Sequence, residues 1–169
     1  MTRTAAYIGL GSNLADPRAQ IERALHALAT LADTRLVRVS RLYRSAPWGL
    51  AAQPDFVNAA AALETNLSPH ALLAALLAIE RAAGRERGGV RYGPRVIDLD
   101  LLVHGEWLLD EPGLHLPHPR LHERAFVLVP LVEIAPDLIV PGRGPARALL
   151  AAVDASTCRV LESAPAATE

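Results

Sequence analysis

The sequence predicts one α+β domain with a ferredoxin-like β-α-β-β-α-β core: a mainly antiparallel sheet, helices packed on it, and C-terminal additions. Two observations carry that class. The chain has 169 residues, 51% of them apolar, which suits a single buried core. Its apolar segments also alternate between short branched runs and helix-spaced runs in split βαβ order. A third observation excludes an alternative. The longest unbroken apolar run, Ala71 to Ile79, has nine residues, against the ~18 of a membrane span. Residues 1–163 are expected to form the domain and residues 164–169 a frayed tail.

Taken in order, Ala5 to Leu10 is a strand stopped by Gly11-Ser12-Asn13. Asp16-Pro17 supplies an N-cap and a first-turn proline. Ile21, Leu25, Leu28 and Leu31 then follow at helical spacing, so a helix is expected over 17–32. Leu36, Val37, Val39, Leu42 and Tyr43 predict one strand running to about Ser45. Residues 46–54, with two prolines and a glycine, read as an exposed loop. Phe56 to Glu64 resumes as a strand, and Ser68-Pro69 opens a second helix over 69–83 that Gly84 closes. Arg85 to Arg95 is polar and glycine-rich; Val96 to Val103 is a strand, and Gly105 is placed to turn it back into Trp107–Leu109. A last helix is expected from Arg124 to Ile134 despite Pro130.

Composition narrows the chemistry. All 17 basic residues are arginine, which excludes a Walker-type phosphate loop, a Schiff base and a lysine general base. Cys158 is the one cysteine, so a disulfide framework and a cysteine zinc site are excluded too. A formal net charge of −1 argues against a bulk nucleic-acid binder. No signal segment opens the chain, so the expectation is a soluble, cytoplasmic protein without membrane partners; a monomer is expected as well, though not on that ground.

The sharpest motif is Gly93-Pro94-Arg95-Val96-Ile97-Asp98-Leu99-Asp100. On a strand Asp98 and Asp100 share a face ~7 Å apart, while Ile97, Leu99 and Leu101 fill the other. Two adjacent carboxylates repel unless positive charge lies between them, and magnesium carried in with a nucleotide supplies it. The alternative is that each aspartate pairs with an arginine such as Arg91 or Arg95. Arg85, Arg87, Arg91 and Arg95 offer planar forks for phosphate oxygens, though a solvated basic loop is the plain reading for at least one. Two prolines stiffen the loop presenting His118, which can donate to phosphate in either protonation state. His26, His70 and His122 are expected on exposed surface. Phe56 and Trp48 lie near the amide of Asn58, a set that can stack and orient a flat heterocycle, although Phe56 also fits ordinary sheet core.

Together these residues resemble the 6-hydroxymethyl-7,8-dihydropterin pyrophosphokinases of folate biosynthesis. The resemblance rests on Tyr7 to Leu14, Tyr43 to Pro47, Gln53 to Asn58, Gly93 to Asp100 and Pro117 to Phe126. It implies pyrophosphoryl transfer from ATP to the pterin hydroxymethyl group, releasing AMP. It also implies two Mg²⁺ on Asp98 and Asp100, with catalytic assistance from Arg85 and Arg95. Nucleotide contacts would come from Glu80, Arg85, Arg87, Tyr92, Arg95, Leu101, His118 and Arg124. Pterin contacts would come from Ser45, Ala46, Trp48, Gly49, Phe56, Asn58, Tyr92, Asp98 and Phe126. MgATP would bind first, and loops 46–54 and 85–95 would then close. Leu77, Gly113, His115, Ala46 and Trp48 depart from the family pattern. Two other classes stay open: a noncatalytic nucleotide- or pterin-binding domain, which would form no AMP, and a nucleic-acid-binding α+β domain, which needs exposed aromatics on a basic face.

Overall fold

The computed structural model describes residues 3–14, 16–46, 54–84 and 96–162. Strand β1 (Thr4–Ser12) alternates: Ala6, Ile8 and Leu10 are buried, whereas Tyr7, Gly9 and Gly11 face the other side. Helix α1 (Pro17–Ala29) starts where Asp16 accepts from Ala19 N–H at 3.3 Å, and it buries Ile21, Ala24, Leu25 and Leu28. The chain continues through β2 (Thr34–Val39), β3 (Leu42–Ser45) and β4 (Phe56–Thr65). Helix α2 (Pro69–Ala82) is capped by Ser68, whose Oγ accepts from Ala71 N–H at 3.1 Å. Strand β5 (Asp98–His104) completes the core.

The main sheet has six strands in the order β10-β3-β4-β1-β5, with β2 also on β4, and every pairing is antiparallel. The α+β class and the core order are as expected. The single strand expected up to Ser45 is in fact two. Ser40 breaks it by donating its N–H to Ala60 O and accepting Ala60 N–H on Oγ, each at 2.9 Å. A side-chain oxygen thus stands in for a ladder carbonyl, so β2 pairs with residues 61–65 and β3 with residues 56–58.

Helices α1 and α2 bury one face of the sheet around Ile8, Leu63, Leu99 and Leu101. The other face is covered by α3 (Ala125–Ile134), through Val103, Leu128 and Leu131, and α4 (Ala146–Ala151) packs against α3 with Ala146 in the same core. Trp107–Leu109 does not fold back on β5 as a strand. Trp107 and Leu108 are exposed, and Leu109 instead begins the hairpin β6 (Leu109–Glu111) and β7 (Leu114–Leu116). A second hairpin, β8 (Ile139–Val140) with β9 (Gly144–Pro145), precedes α4. Strand β10 (Arg159–Glu162) then adds an edge to β3.

Candidate active site

Sheet register builds the site. Tyr43, Asn58, Gly11 and Asp98 align in one row across four strands, and Ala60, Gly9 and Asp100 align in the next. Residues paired across antiparallel strands point to the same face. The two glycines therefore leave open floor between an amide on one side and two carboxylates on the other. A cavity of ≈ 280 Å³ lies over that floor, bounded by Ser45, Phe56, Asn58, Asp98, Asp100, His118, Arg124 and Phe126. It occupies the part of the sheet face that α3 leaves uncovered.

Asp98 and Asp100 are half-buried on this face, with Leu99 and Leu101 in the core behind them. Among the described residues no group of three or more His, Cys, Asp or Glu gathers to hold a metal. Two hard oxygen donors without a closed cage fit a cation such as Mg²⁺, which keeps water and takes substrate phosphates as its remaining ligands. Backbone anchors surround the pair. Ser12 Oγ donates to Val96 O, and His118 N–H donates to Leu102 O at 2.9 Å.

His118 Nδ1 accepts Arg120 N–H at 3.1 Å, which leaves the proton of the neutral ring on Nε2. Nε2 faces Asp100 Oδ1 at 3.9 Å. Burial first, and then the charge of Arg124, push the His118 pKa down to about 4, against an opposing pull from Asp98. The ring is therefore a neutral hydrogen-bond donor at pH 7. Arg124 precedes α3 and lies 5.6 Å from the Phe126 ring centroid, within cation–π range. Phe126 and Phe56 are both half-buried and both bound the cavity.

Asn58 Nδ2 donates to Ser45 Oγ at 2.6 Å, and both residues are buried. Ala46 is exposed at the cavity rim. The structure thus brings together Asp98, Asp100, His118, Arg124, Ser45, Ala46, Asn58, Phe56 and Phe126. The expectations for Arg85, Arg87, Tyr92, Arg95, Trp48 and Gly49, and for loop closure, lie outside the described residues.

Some expectations need correction. Leu101 turns its side chain into the helix-covered core, 5% exposed, because strand alternation puts it opposite Asp100. Glu80, expected as a nucleotide contact, is 2% exposed and accepts Leu99 N–H at 2.8 Å. His26 and His70 are exposed as expected, with His70 against Glu111 at 2.7 Å. His122 is half-buried instead, on a short 3-10 turn (Leu121–Glu123). His115 pairs with Asp110 at 2.8 Å. Gly9 and Gly11 were not singled out as site residues, although their period-2 spacing in Tyr7-Ile8-Gly9-Leu10-Gly11 marks one bare strand face.

Residues 7–136 match the family described as 7,8-dihydro-6-hydroxymethylpterin-pyrophosphokinase. A relative from Pseudomonas aeruginosa, named 2-amino-4-hydroxy-6-hydroxymethyldihydropteridine pyrophosphokinase, is 58% identical over 135 residues, covering 80% of this chain and 83% of its own. One of the same name from Methylorubrum extorquens is 48% identical over 153 residues, covering 90% of this chain and 96% of its own. Among solved structures, Plasmodium falciparum wild-type HPPK-DHPS with pteroate superposes with a TM-score of 0.71 at 12% identity. That match covers 89% of this chain and 44% of the other, so the chain spans under half the length of that protein, and the likeness concerns the fold.

Proposed function

Because the chain belongs to the 7,8-dihydro-6-hydroxymethylpterin-pyrophosphokinase family, we propose that its reaction takes place in the cavity between Asn58 and the Asp98–Asp100 pair. The protein is an ATP-dependent diphosphokinase: it transfers pyrophosphate from ATP to hydroxymethyldihydropterin in folate biosynthesis. The observation that supports the placement is the paired register, with the Asn58 amide on one side of bare glycine floor and the Asp98 and Asp100 carboxylates on the other.

The pterin ring lies between Phe56 and Phe126, its polar edge read by the Asn58 amide and the backbone near Ser45. This aims the hydroxymethyl oxygen at the β-phosphorus of ATP. The new O–Pβ bond forms as the bond from Pβ to the α,β-bridging oxygen breaks; AMP leaves with those electrons, and the proton of the attacking hydroxyl passes to solvent. Asp98 and Asp100 would hold two Mg²⁺. Bound there, the metal would neutralise phosphate charge and lower the pKa of the attacking hydroxyl. His118 Nε2–H and the Arg124 guanidinium donate to phosphate oxygens from fixed positions, so little reorganisation is needed as charge shifts. Arg85, Arg87, Tyr92 and Arg95 belong to the same phosphate-holding set by family pattern, and Trp48 and Gly49 to the pterin side. The protein is taken to work as a cytoplasmic monomer, residues 1–163 forming the catalytic domain.

Incubation with MgATP and 6-hydroxymethyl-7,8-dihydropterin should yield AMP and the pterin diphosphate in equal amounts. Formation of ADP would refute pyrophosphoryl transfer. Activity retained in full by Asp98→Ala would refute the placement.

A further inference from the structure

The buried stripe of α2 reads Leu72, Leu76, Glu80: two leucines and then an acid, one helical turn apart. Helical spacing makes the third position as core-facing as the first two, and Glu80 is 2% exposed there. A buried carboxylate is costly unless hydrogen-bonded, so its partners indicate why it is retained. One of them is the N–H of Leu99, at 2.8 Å from Oε2.

Leu99 is the residue between Asp98 and Asp100. Its strand, β5, is at the edge of the sheet among the described residues, with β1 on one side and no described strand on the other. Strand pairing holds β5 through Gly11↔Asp98 and Gly9↔Asp100 on the inner side alone. On the outer side the edge takes its bonds from elsewhere: Glu80 at Leu99 N–H, and His118 N–H at Leu102 O. An edge strand held on one side can twist, and a twist about Leu99 would turn Asp98 and Asp100 relative to each other.

We propose that Glu80 is a positioning residue for the reaction, acting through Leu99 N–H to fix the strand that carries Asp98 and Asp100. This rests on the reading that the two aspartates hold divalent metal. Glu80 then governs how well the pair shares that metal, rather than contacting the nucleotide as the family resemblance implies. A side-chain hydrogen bond to backbone suits the task, because it resists strand rotation without crowding the cavity face.

The test is AMP formation by the full chain as a function of free Mg²⁺, with both substrates saturating, in Glu80→Leu, Glu80→Asp, Glu80→Gln and Asp98→Asn. Glu80→Leu removes the acceptor, and Glu80→Asp pulls it back by one methylene; both should lower kcat by about 10-fold or more and raise the half-saturating Mg²⁺ several-fold. The KM for the pterin should stay near the wild-type value. Glu80→Gln keeps an oxygen for Leu99 N–H and should restore both parameters to within about threefold. If Glu80→Leu does not fold, the Asp and Gln pair decides alone. A wild-type Mg²⁺ response in Glu80→Asp would overturn the proposal. So would a loss confined to the KM for ATP that Gln and Asp share, since that marks a direct nucleotide ligand. An unchanged Mg²⁺ response in Asp98→Asn would instead refute the metal reading beneath it.

Discussion

Gly11 has no Cβ, and a Cβ built there would meet Asn58 Oδ1 at 3.3 Å and the Phe56 ring edge at 3.8 Å. Its backbone is ordinary strand, so alanine would be tolerated by the fold but not by the floor. Gly11→Ala is expected to displace the Asn58 amide and raise the pterin KM roughly 10-fold, the scale of one misplaced methyl in a pocket. Steady-state kinetics with ATP saturating would show it, and an unchanged KM would remove the pterin from this row. At Asp98 and Asp100 the loss is of another kind. Alanine at either position deletes a transition-state contact, so kcat should fall by at least ~100-fold. Single-turnover AMP release is the measurement, and near-normal rates would sink the assignment. These aspartates were legible from the sequence because a D-x-D pair on a strand has one geometry. Glu80 was legible only in part: its spacing from Leu72 and Leu76 turns it toward the core, but nothing local shows that it meets the edge of β5 at Leu99.

Among the elements, α3 has the most to hold in place. It brings Phe126 to the cavity, and its far end is tied to β3 by Glu133. That carboxylate accepts from the Tyr43 hydroxyl, from Arg41 N–H at 2.8 Å and from Arg41 Nε at 3.0 Å. Burial raises the Glu133 pKa, but the hydrogen bonds from Tyr43 and Arg41 outweigh it, and the net value lies below the ordinary one. Burial and then the Glu133 hydrogen bond push Tyr43 up to about 12. The signs are opposite. Glu133 contributes stability above the ordinary glutamate pKa and loses it as pH falls through the depressed folded value. Tyr43 contributes below pH ~10 and loses its share as pH rises through about 12. Tyr43→Phe should cost about 1–3 kcal/mol, a hydrogen bond to a charged group, and lower Tm by a few degrees. Its melting curve should also lose part of its acid dependence as pH falls below the ordinary glutamate pKa, because the folded value is depressed. A variant with the wild-type profile would show that the clamp contributes nothing.

For the whole molecule, helices cover both faces of one sheet, and among the described residues a cavity is left over the glycine rows. The described protein donors to metal there are two carboxylates, which leaves most of a coordination shell to water and phosphate. Millimolar Mg²⁺ alone should therefore move Tm by less than about 1 °C, whereas MgATP should raise it as a ligand of the native state does. Chelation should stop AMP formation without unfolding the protein. A large Tm shift with Mg²⁺ alone would imply a preformed cage.

Periodicity and capping residues determined the element order, because the helix and strand repeats of this chain differ plainly and Asp16, Ser68 and the glycines punctuate them. The motifs determined most of the site in the same way, since each lies on a short stretch of one element. Only the tertiary structure decided what depends on residues far apart meeting. It broke the expected long strand at Ser40, because the competing partner was Ala60 O, 20 positions along the chain. It placed α3 on the second face of the sheet, and it set Glu80 against the N–H of Leu99. Local repeats carry the energy of single elements, but sheet register and a buried acid's partner are set by packing, which no local pattern encodes.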